Sequence, residues 1–155
     1  MTPAIDLLEK QKIVFQVHQY AHDKGCDDYG MEAVSKMGAN PKQVFKTLVV
    51  NVDDSQLVVA ILPVSKKLSM KQVAKVFSGK KVKMADPSDV QRSTGYILGG
   101  VSPLGQKKRL KAVLDSSALN FATVYVSAGR RGLEIELKAE DLIAQLNAYC
   151  TEICG

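Results

Sequence analysis

Alternating and continuously apolar segments predict six strands in this chain. They cover residues 13–20, 45–52, 56–63, 111–114, 122–127 and 133–137. The turn at residues 53–55 (Asp-Asp-Ser) separates the second segment from the third, which predicts a β-hairpin. In residues 133–137, apolar side chains alternate with Glu134 and Glu136, so both carboxylates are expected on the face opposite the apolar one. A solvated strand face would explain this alternation equally well.

Capping residues, prolines and glycines mark the predicted helices. The first predicted helix begins at Pro3. The others cover residues 32–37, 69–77, 87 to about 92, and 140–149. Residues 95–105 are predicted to form a glycine-rich loop or an irregular strand. Strands and helices mix without a regular βαβ repeat, which predicts an α+β fold with a mixed, largely antiparallel, barrel-like sheet and surrounding helices. With no repeat or long linker, residues 1–155 are expected to form a single domain.

The composition is that of a soluble globular protein. Hydrophobic residues make up 46% and charged residues 24% of the 155 positions. No apolar run approaches the roughly 20 residues of a membrane span, and the N-terminus lacks the pattern of a signal peptide. The cysteines Cys26, Cys150 and Cys154 are odd in number and widely spaced, so we expect no disulfide framework and a cytoplasmic location.

A net charge of +5 favours encounter with polyanions without specifying which one. Basic residues cluster at 66–67, 80–81, 106–109 and 129–132. Each of these clusters, taken alone, is more often solvated surface than a binding site. Aromatic residues are only 6% and tryptophan is absent, so a surface that stacks unpaired bases is not expected. If nucleic acid binds, its backbone and its chain end are the better candidates.

Several kinds of site can be set aside. Residues 100–107 resemble a phosphate-binding P-loop, but the lysine arrives one residue late and no serine or threonine follows it. Cys150 and Cys154 are four residues apart on the predicted final helix, without a second ligand pair for a metal. His18 and His22 are more typical of structural or surface histidines than of a catalytic base.

Lys46 and the glycine-rich loop are the two positive candidates. Lys46 stands at the head of an apolar strand, and burying an ammonium group costs free energy unless an anion compensates it. The alternative is a side chain that extends from the sheet edge into water. Residues 99–105 (GGVSPLG) leave backbone amides without shielding side chains, and such amides suit a phosphate or a developing oxyanion. A tight turn between core strands would explain the loop equally well.

Long segments of the chain match a known pattern almost end to end. They are MTPAIDLLEK, the strand that ends at Tyr20, Asn40-Pro41 leading to FKTL, MADP, QRSTGYILGGVSPLGQKKRL, FATVYVSAGRRG and LEIELKAEDL. On these segments the chain resembles the bacterial YbaK/EbsC-type editing family, and within it the Cys-tRNA(Pro) deacylases. The resemblance implies the fold of the prolyl-tRNA synthetase editing domain. It also implies hydrolytic proofreading in trans, in the cytoplasm, without a metal or another cofactor.

The resemblance further implies a substrate and its chemistry. A small synthetase pocket discriminates poorly between cysteine and proline, so cysteine is misattached to proline tRNA and must be removed. Cys-tRNA(Cys) is a further candidate substrate. In the chemistry proposed for the family, the substrate's own thiol attacks its carbonyl and expels the tRNA, leaving a cyclic thiolactone. Such an attack needs positioning and charge stabilisation. The expected partners are the acceptor end of mischarged tRNA(Pro) and, transiently, prolyl-tRNA synthetase, with the chain as a monomer or weak homodimer.

Three residues take catalytic roles from the resemblance. Lys46 matches the family's essential lysine, placed to engage the terminal ribose or phosphate and the reacting ester. Gly99 and Gly100 match the loop whose amides would face the carbonyl oxygen.

Five further residues take substrate-binding roles. Tyr20, Thr47 and Ser127 match polar residues that orient the aminoacyl end, and Ser102 of the loop is assigned with them. Glu134 stands where close relatives usually carry aspartate, and its extra methylene moves the carboxylate outward. Two alternatives remain open: a non-catalytic module that binds tRNA or synthetase, and an editor of another amino acid such as alanine or serine.

Overall fold

The computed structural model describes every residue from Met1 to Gly155. Five helices, a short 3-10 helix and eight strands follow one another along the chain. The helices are α1 (Pro3–Lys10), α2 (Tyr29–Met37), α3 (Met70–Val76), α4 (Pro87–Thr94) and α5 (Ala139–Leu146). The strands are β1 (Phe15–Gln19), β2 (Phe45–Val52), β3 (Gln56–Pro63), β4 (Val82–Met84), β5 (Lys111–Asp115), β6 (Val124–Arg130), β7 (Leu133–Leu137) and β8 (Tyr149–Thr151). The 3-10 helix covers Ser116–Asn120.

The strands form two sheets. A three-stranded sheet has the order β1-β7-β6 and is antiparallel throughout. A five-stranded sheet has the order β4-β2-β3-β5-β8, in which β2 pairs antiparallel with β3 and β4, and β5 pairs parallel with β3 and β8. The predicted α+β class and the largely antiparallel pairing are confirmed. The predicted hairpin is also confirmed, with Asp53 and Asp54 at φ 54° and 53° in its turn.

The sheet does not close into a complete barrel, because the ladder of strands is interrupted between the two sheets. A barrel needs strand-to-strand hydrogen bonding around its whole circumference. Here the two sheets are joined by one isolated parallel bridge, between Val44 and Tyr125. The sheets instead share a hydrophobic core of 18 buried residues, to which α1 and α5 also contribute. No helix has the length and apolar character that a membrane span requires.

The five-stranded sheet is covered on both faces. Phe45, Val59 and Ile61 point into the large core, whereas Val58 and Ala60 belong to a second core of eight buried residues that includes α3. Because neighbouring residues of a strand point to opposite faces, a strand buried on both faces is apolar throughout. This explains why residues 57–62 of β3 (LVVAIL) and 48–50 of β2 (LVV) are continuous apolar runs rather than alternating ones, with Lys46, Thr47 and Asn51 as the polar exceptions in β2.

Two predicted helix boundaries shift in the structure. The helix predicted over 32–37 begins earlier, at Tyr29, because the Asp28 side chain caps it and accepts the Met31 N–H at 3.3 Å. The closing helix predicted over 140–149 ends at Leu146, where Asn147 takes the left-handed conformation with φ 49°. The chain then forms β8, so Cys150 and Cys154 do not lie on the final helix.

Asp115 connects three segments at the end of β5. Its carboxylate is buried, with 3% of the residue exposed. One oxygen accepts the Ile153 N–H at 2.9 Å, and the other accepts the N–H and hydroxyl of Ser117 at 3.2 Å and 2.6 Å. The side chain therefore fastens both the 3-10 helix and the C-terminal segment to the sheet.

We expect Asp115→Ala to lower the free energy of unfolding by about 2–4 kcal/mol, because hydrogen bonds to charged groups contribute roughly 1.5–3 kcal/mol each. Urea denaturation measures this. Glu152→Ala is the control, since Glu152 is an exposed carboxylate of the same segment. It should change stability by no more than about 0.5 kcal/mol. Equal effects of the two substitutions would contradict the role given to Asp115.

Candidate functional site

A cavity of about 380 Å³ opens between the start of β2, the first turn of α2 and the β6–β7 hairpin. Six of the eight residues predicted from the sequence line it. They are Tyr20, Lys46, Thr47, Gly99, Ser127 and Glu134. Gly100 and Ser102 are not among the lining residues. The fold thus brings together residues that are up to 114 positions apart, the separation of Tyr20 and Glu134.

Lys46 presents an uncompensated positive charge to the cavity. It is half-buried, and its Cα pairs with that of Leu62 on β3, whereas the pairing of β2 with β4 covers only Val50–Val52. No hydrogen bond or ion pair holds its ammonium group. Desolvation by burial lowers the pKa of Lys46, and the nearby Asp28 and Cys154 side chains oppose this only in part. An anionic group that entered the cavity would compensate this charge.

Thr47 adds an unsatisfied hydroxyl next to Lys46. Its Oγ1 atom is buried and has no hydrogen-bond partner. Nearly all buried polar atoms in folded proteins have a partner, so an exception in a cavity lining marks a place where a ligand atom can bind. Lys46 and Thr47 both line the cavity at the head of β2, although as neighbours on a strand they belong to opposite faces of the sheet.

Glu134 and Glu136 lie on the same face of β7 but in different surroundings. Glu136 accepts hydrogen bonds from the Thr123 hydroxyl at 2.5 Å and from His18 at 2.9 Å, and these contacts lower the pKa of Glu136. Glu134 is only 7% exposed and has no such partner, and burial raises its pKa to about 8. The face is therefore not a solvated one, and Glu134 carries a proton at neutral pH.

Tyr20 lies beside Glu134 and is also protonated. Burial, followed by the proximity of Glu134, raises the pKa of Tyr20 to about 12. The Tyr20 backbone N–H donates to the Gly132 carbonyl at 2.9 Å, which fixes this residue against the β6–β7 hairpin. The hydroxyl of Tyr20 and the carboxyl group of Glu134 are thus both able to donate hydrogen bonds into the cavity.

The β6 side of the cavity is shaped by a bulge. The register of β6 against β7 shifts between Ser127 and Arg130, and Gly129 has φ 113° there. The Ser127 hydroxyl accepts the Gly129 N–H at 3.2 Å. Bulges next to functional sites re-aim side chains, and here the bulge holds Ser127 in the lining.

The glycine-rich loop contributes one amide rather than two. Gly99 has φ 86° and lines the cavity, and its N–H makes no hydrogen bond within the chain. The Gly100 N–H already donates to the Ile97 carbonyl at 2.9 Å. Ser102 is fully buried, and its hydroxyl accepts the Leu104 N–H at 3.2 Å. The structure thus gives Gly100 and Ser102 roles in forming the loop.

Two further residues of the lining, which the sequence did not single out, pack against Gly99. The Arg131 guanidinium lies 4.4 Å from the centre of the Tyr29 ring and donates to the Leu98 carbonyl at 2.8 Å. A Cβ atom on Gly99 would lie 2.5 Å from Arg131 and 2.7 Å from Tyr29, so only glycine allows this packing. The basic cluster at residues 129–132 (GRRG) was the sequence feature that could have pointed to Arg131. Tyr29 was missed because α2 was predicted to begin three residues too late.

The histidines and cysteines lie outside the lining. His18 pairs with Glu136, and His22 pairs with Glu32 at 2.6 Å. All three cysteines are free thiols. Burial raises the pKa of Cys150, and burial together with Asp115 raises that of Cys154 to about 11. No group of three or more His, Cys, Asp or Glu side chains is placed to hold a metal ion.

Comparison with known proteins identifies the family of this chain. The family model described as "Aminoacyl-tRNA editing domain" matches residues 24–144. An Enterococcus faecalis protein named "Putative Cys-tRNA(Pro)/Cys-tRNA(Cys) deacylase EbsC" is 35% identical over 153 residues, which cover 98% of this chain and 92% of that protein. The chain belongs to the aminoacyl-tRNA editing domain family.

Two other relatives extend the comparison. An Escherichia coli protein named "Multifunctional Ser/Thr-tRNA deacylase ProXp-y" is 30% identical over 117 residues, which cover 72% of this chain and 70% of that protein. A crystal structure described as "a putative trans-editing enzyme for prolyl tRNA synthetase" superimposes with a TM-score of 0.84 at 21% identity, covering 98% of this chain and 92% of that one. The fold is therefore that of the YbaK-type editing proteins.

The titration of Glu134 gives a stability prediction with a defined sign. Because its pKa is about 8 in the folded state, against an ordinary value of 4.5, the folded protein holds an extra proton between these values. The free energy of unfolding should therefore fall as pH rises from about 5 to 8, by at most about 1.4 kcal/mol per pH unit, and level off above. Glu134→Gln should remove this slope in urea denaturation series.

Glu136→Gln is the matched control, since the Glu136 pKa is lowered. Its carboxylate stabilises the fold above the ordinary pKa, and this contribution is lost as pH falls. Glu136→Gln should therefore be less stable than the wild type at neutral pH, whereas Glu134→Gln should be more stable than the wild type at high pH. Parallel pH profiles for the wild type and Glu134→Gln would contradict a buried, protonated Glu134.

Proposed function

We propose that this protein removes cysteine from mischarged Cys-tRNA(Pro), with Cys-tRNA(Cys) as a further substrate. The observation that carries the proposal is the unpartnered Lys46 ammonium in a cavity where the Thr47 hydroxyl and the Glu134 carboxyl group also lack hydrogen-bond partners. Membership of the editing family and the name of the Enterococcus relative support the same substrate class. A cavity of about 380 Å³ is of the size that takes a small ligand group, here the aminoacyl ribose of a tRNA terminus.

The chemistry that fits this lining is attack by the substrate's own thiol. The cysteine sulfur forms a bond to the ester carbonyl carbon, and the bond from that carbon to the ribose oxygen breaks. The thiol proton ends on the departing ribose hydroxyl, and cysteine leaves as a cyclic thiolactone that water later opens. The protein has to hold the substrate in an attack geometry and stabilise the charge that develops on sulfur and on the carbonyl oxygen.

The lining residues divide these tasks among them. Lys46 stabilises negative charge in the transition state, and the free Gly99 N–H is the backbone donor for the carbonyl oxygen. The Thr47 hydroxyl bonds the ribose end, where its unsatisfied Oγ1 finds a partner. Tyr20 and the protonated Glu134 donate hydrogen bonds to the amino acid end.

A second candidate function is deacylation of serine or threonine tRNA. The Escherichia coli relative named as a Ser/Thr-tRNA deacylase favours it. Serine and threonine carry hydroxyls that are far weaker nucleophiles than a thiol at neutral pH, so such an enzyme would have to use a water molecule. The two functions thus differ in the nucleophile: the substrate's own thiol for a cysteine ester, and water for a serine or threonine ester.

We further propose that residues 1–155 act as one editing domain in the cytoplasm, where tRNA is charged. The acceptor end of tRNA(Pro) would supply the ester, and prolyl-tRNA synthetase would be a transient partner. This arrangement would give the enzyme its tRNA selectivity without base-specific contacts, which suits a chain with few aromatic residues.

Lys46→Met should lower the rate of Cys-tRNA(Pro) deacylation by about 10- to 100-fold or more, since a charge-assisted hydrogen bond contributes roughly 1.5–3 kcal/mol. The variant should be at least as stable as the wild type, because burial disfavours the ammonium form of Lys46. Release of radiolabelled cysteine measures the rate. Lys67→Met, at an exposed position, is the control and should keep full activity. Full activity of Lys46→Met would end the assignment.

Proline tRNA charged with S-methylcysteine tests the substrate-assisted mechanism. It has nearly the same shape as the cysteine substrate but lacks an attacking thiol, so it should be cleaved at least about 100-fold more slowly. A Cys26→Ser, Cys150→Ser, Cys154→Ser variant should keep most of its activity on Cys-tRNA(Pro). Rapid release of S-methylcysteine, or of serine from Ser-tRNA, would instead indicate an activated water and the second candidate function.

A further inference from the structure

A groove of about 750 Å³ at the far end of β2 carries an excess of positive charge. Five lysines and a single carboxylate line it. They are Lys71, Lys75, Lys80, Lys81, Lys83 and Asp54. The lysines come from three segments, namely α3, the connection to β4, and β4 itself, and all five are exposed. The fold therefore gathers onto one surface charges that the sequence shows as separate pairs and single residues.

Nearby carboxylates do not neutralise this charge. Asp54 forms an ion pair with Lys83 at 2.8 Å. Asp53 accepts the backbone N–H groups of Lys80 at 2.9 Å and Lys81 at 2.7 Å, and these bonds lower the pKa of Asp53. Its carboxylate thus anchors the backbone of both lysines to the hairpin turn, while the ammonium groups of Lys71, Lys75, Lys80 and Lys81 form no ion pair.

Asn51 is a second, independent sign of a ligand in this groove. Its side chain lines the groove, and its Oδ1 atom is buried without a hydrogen-bond partner. Only one other buried side-chain N or O atom in the protein lacks a partner, and that is Thr47 Oγ1 in the cavity. Thr47 and Asn51 are four residues apart on β2, so they lie on one face with their Cα atoms about 13 Å apart.

We propose that the lysine groove binds the phosphate backbone of the same RNA whose aminoacyl end enters the cavity. This inference rests on the proposed function. Phosphodiesters carry one negative charge each at short, regular intervals, and the four unpaired ammonium groups of the groove can neutralise several in succession. The unpartnered Asn51 Oδ1 is an acceptor, so it would gain its partner from a ribose 2′-hydroxyl, while the ammonium groups contact the phosphates. No aromatic side chain lines the groove, so it contacts the backbone and does not stack bases.

The separation of the two sites fits a nucleic acid that spans them. About 13 Å corresponds to roughly four stacked nucleotides, at about 3.4 Å per step. The phosphates in the groove would therefore lie several nucleotides from the esterified 3′ end. A short 3′ fragment would reach the cavity but not the groove, which gives the proposal a direct test.

The test compares two variants with equal loss of charge. The groove variant carries Lys71→Gln, Lys75→Gln, Lys80→Gln and Lys81→Gln, which keep the backbone N–H groups that Asp53 accepts. The control variant carries Lys10→Gln, Lys67→Gln, Lys111→Gln and Lys138→Gln, at exposed positions elsewhere. Binding of uncharged tRNA(Pro) is measured over a salt series. The groove variant should bind about 10- to 100-fold more weakly at low salt, with a slope of log K against log salt shallower by about 2–3. The control should stay near the wild type.

A kinetic arm uses two cysteinyl substrates, full-length tRNA(Pro) and a CCA trinucleotide. The groove variant should raise KM for the tRNA about tenfold or more, leave kcat unchanged, and cleave the trinucleotide as the wild type does. Equal tRNA binding by the groove and control variants would overturn the proposal and leave an acidic protein surface as the partner of the groove. The binding arm does not depend on catalysis. Normal tRNA binding by a wild type that cleaves no aminoacyl-tRNA would refute the proposed function alone.

Discussion

Burial of both faces of β2 is the constraint on which the rest of this structure depends. One face of the strand places Phe45 in the large shared core and Val49 in a smaller cluster with Val90 of α4, and the other face packs against the core beneath α3. A strand held this way has little freedom in register, because a slip by one residue would exchange its two faces. The polar residues Lys46, Thr47 and Asn51 are therefore held in fixed positions by the apolar residues around them.

The same burial gives the cavity its electrostatic character. Desolvation lowers the pKa of Lys46 and raises those of Glu134 and Tyr20. Each shift records a polar group that the folded chain does not fully satisfy, and such groups lower the stability of the fold. This loss of stability accompanies a preorganised site. Donors and charges that are already fixed in a partly dry cavity need no rearrangement when a substrate binds.

Much of this architecture could be predicted from local sequence signals. The hairpin turn, the caps of α1 and α3, and the apolar runs of β2 and β3 depend on neighbouring residues, and all were predicted. The edge strands β4 and β8 were not, since three-residue segments carry no periodicity of their own. The division of the strands into two sheets was not predicted either, because pairing between distant segments is set by packing and not by local pattern.

Site residues could be predicted from the sequence where a charged residue interrupts an apolar segment. An ammonium group in an apolar strand singled out Lys46, but no local signal distinguished Glu134 from Glu136. Their difference arises from Thr123 and His18, which are 13 and 118 residues from Glu136 in the sequence and satisfy only that carboxylate. In the same way, the Gly100 amide was expected to be free, and only the turn geometry shows that Ile97 already accepts it.

The environments of the three cysteines give the molecule a natural position for a reporter group. Cys150 and Cys154 have raised pKa values, so few of their thiols are ionised at neutral pH. Cys26 lies on the loop immediately before Asp27 and Asp28, which line the cavity. Since the thiolate is the form that alkylating reagents attack, Cys150 and Cys154 should react slowly with a maleimide dye, which leaves Cys26 as the position to label. The emission of the dye could then follow entry of an aminoacyl end into the cavity without any engineered residue.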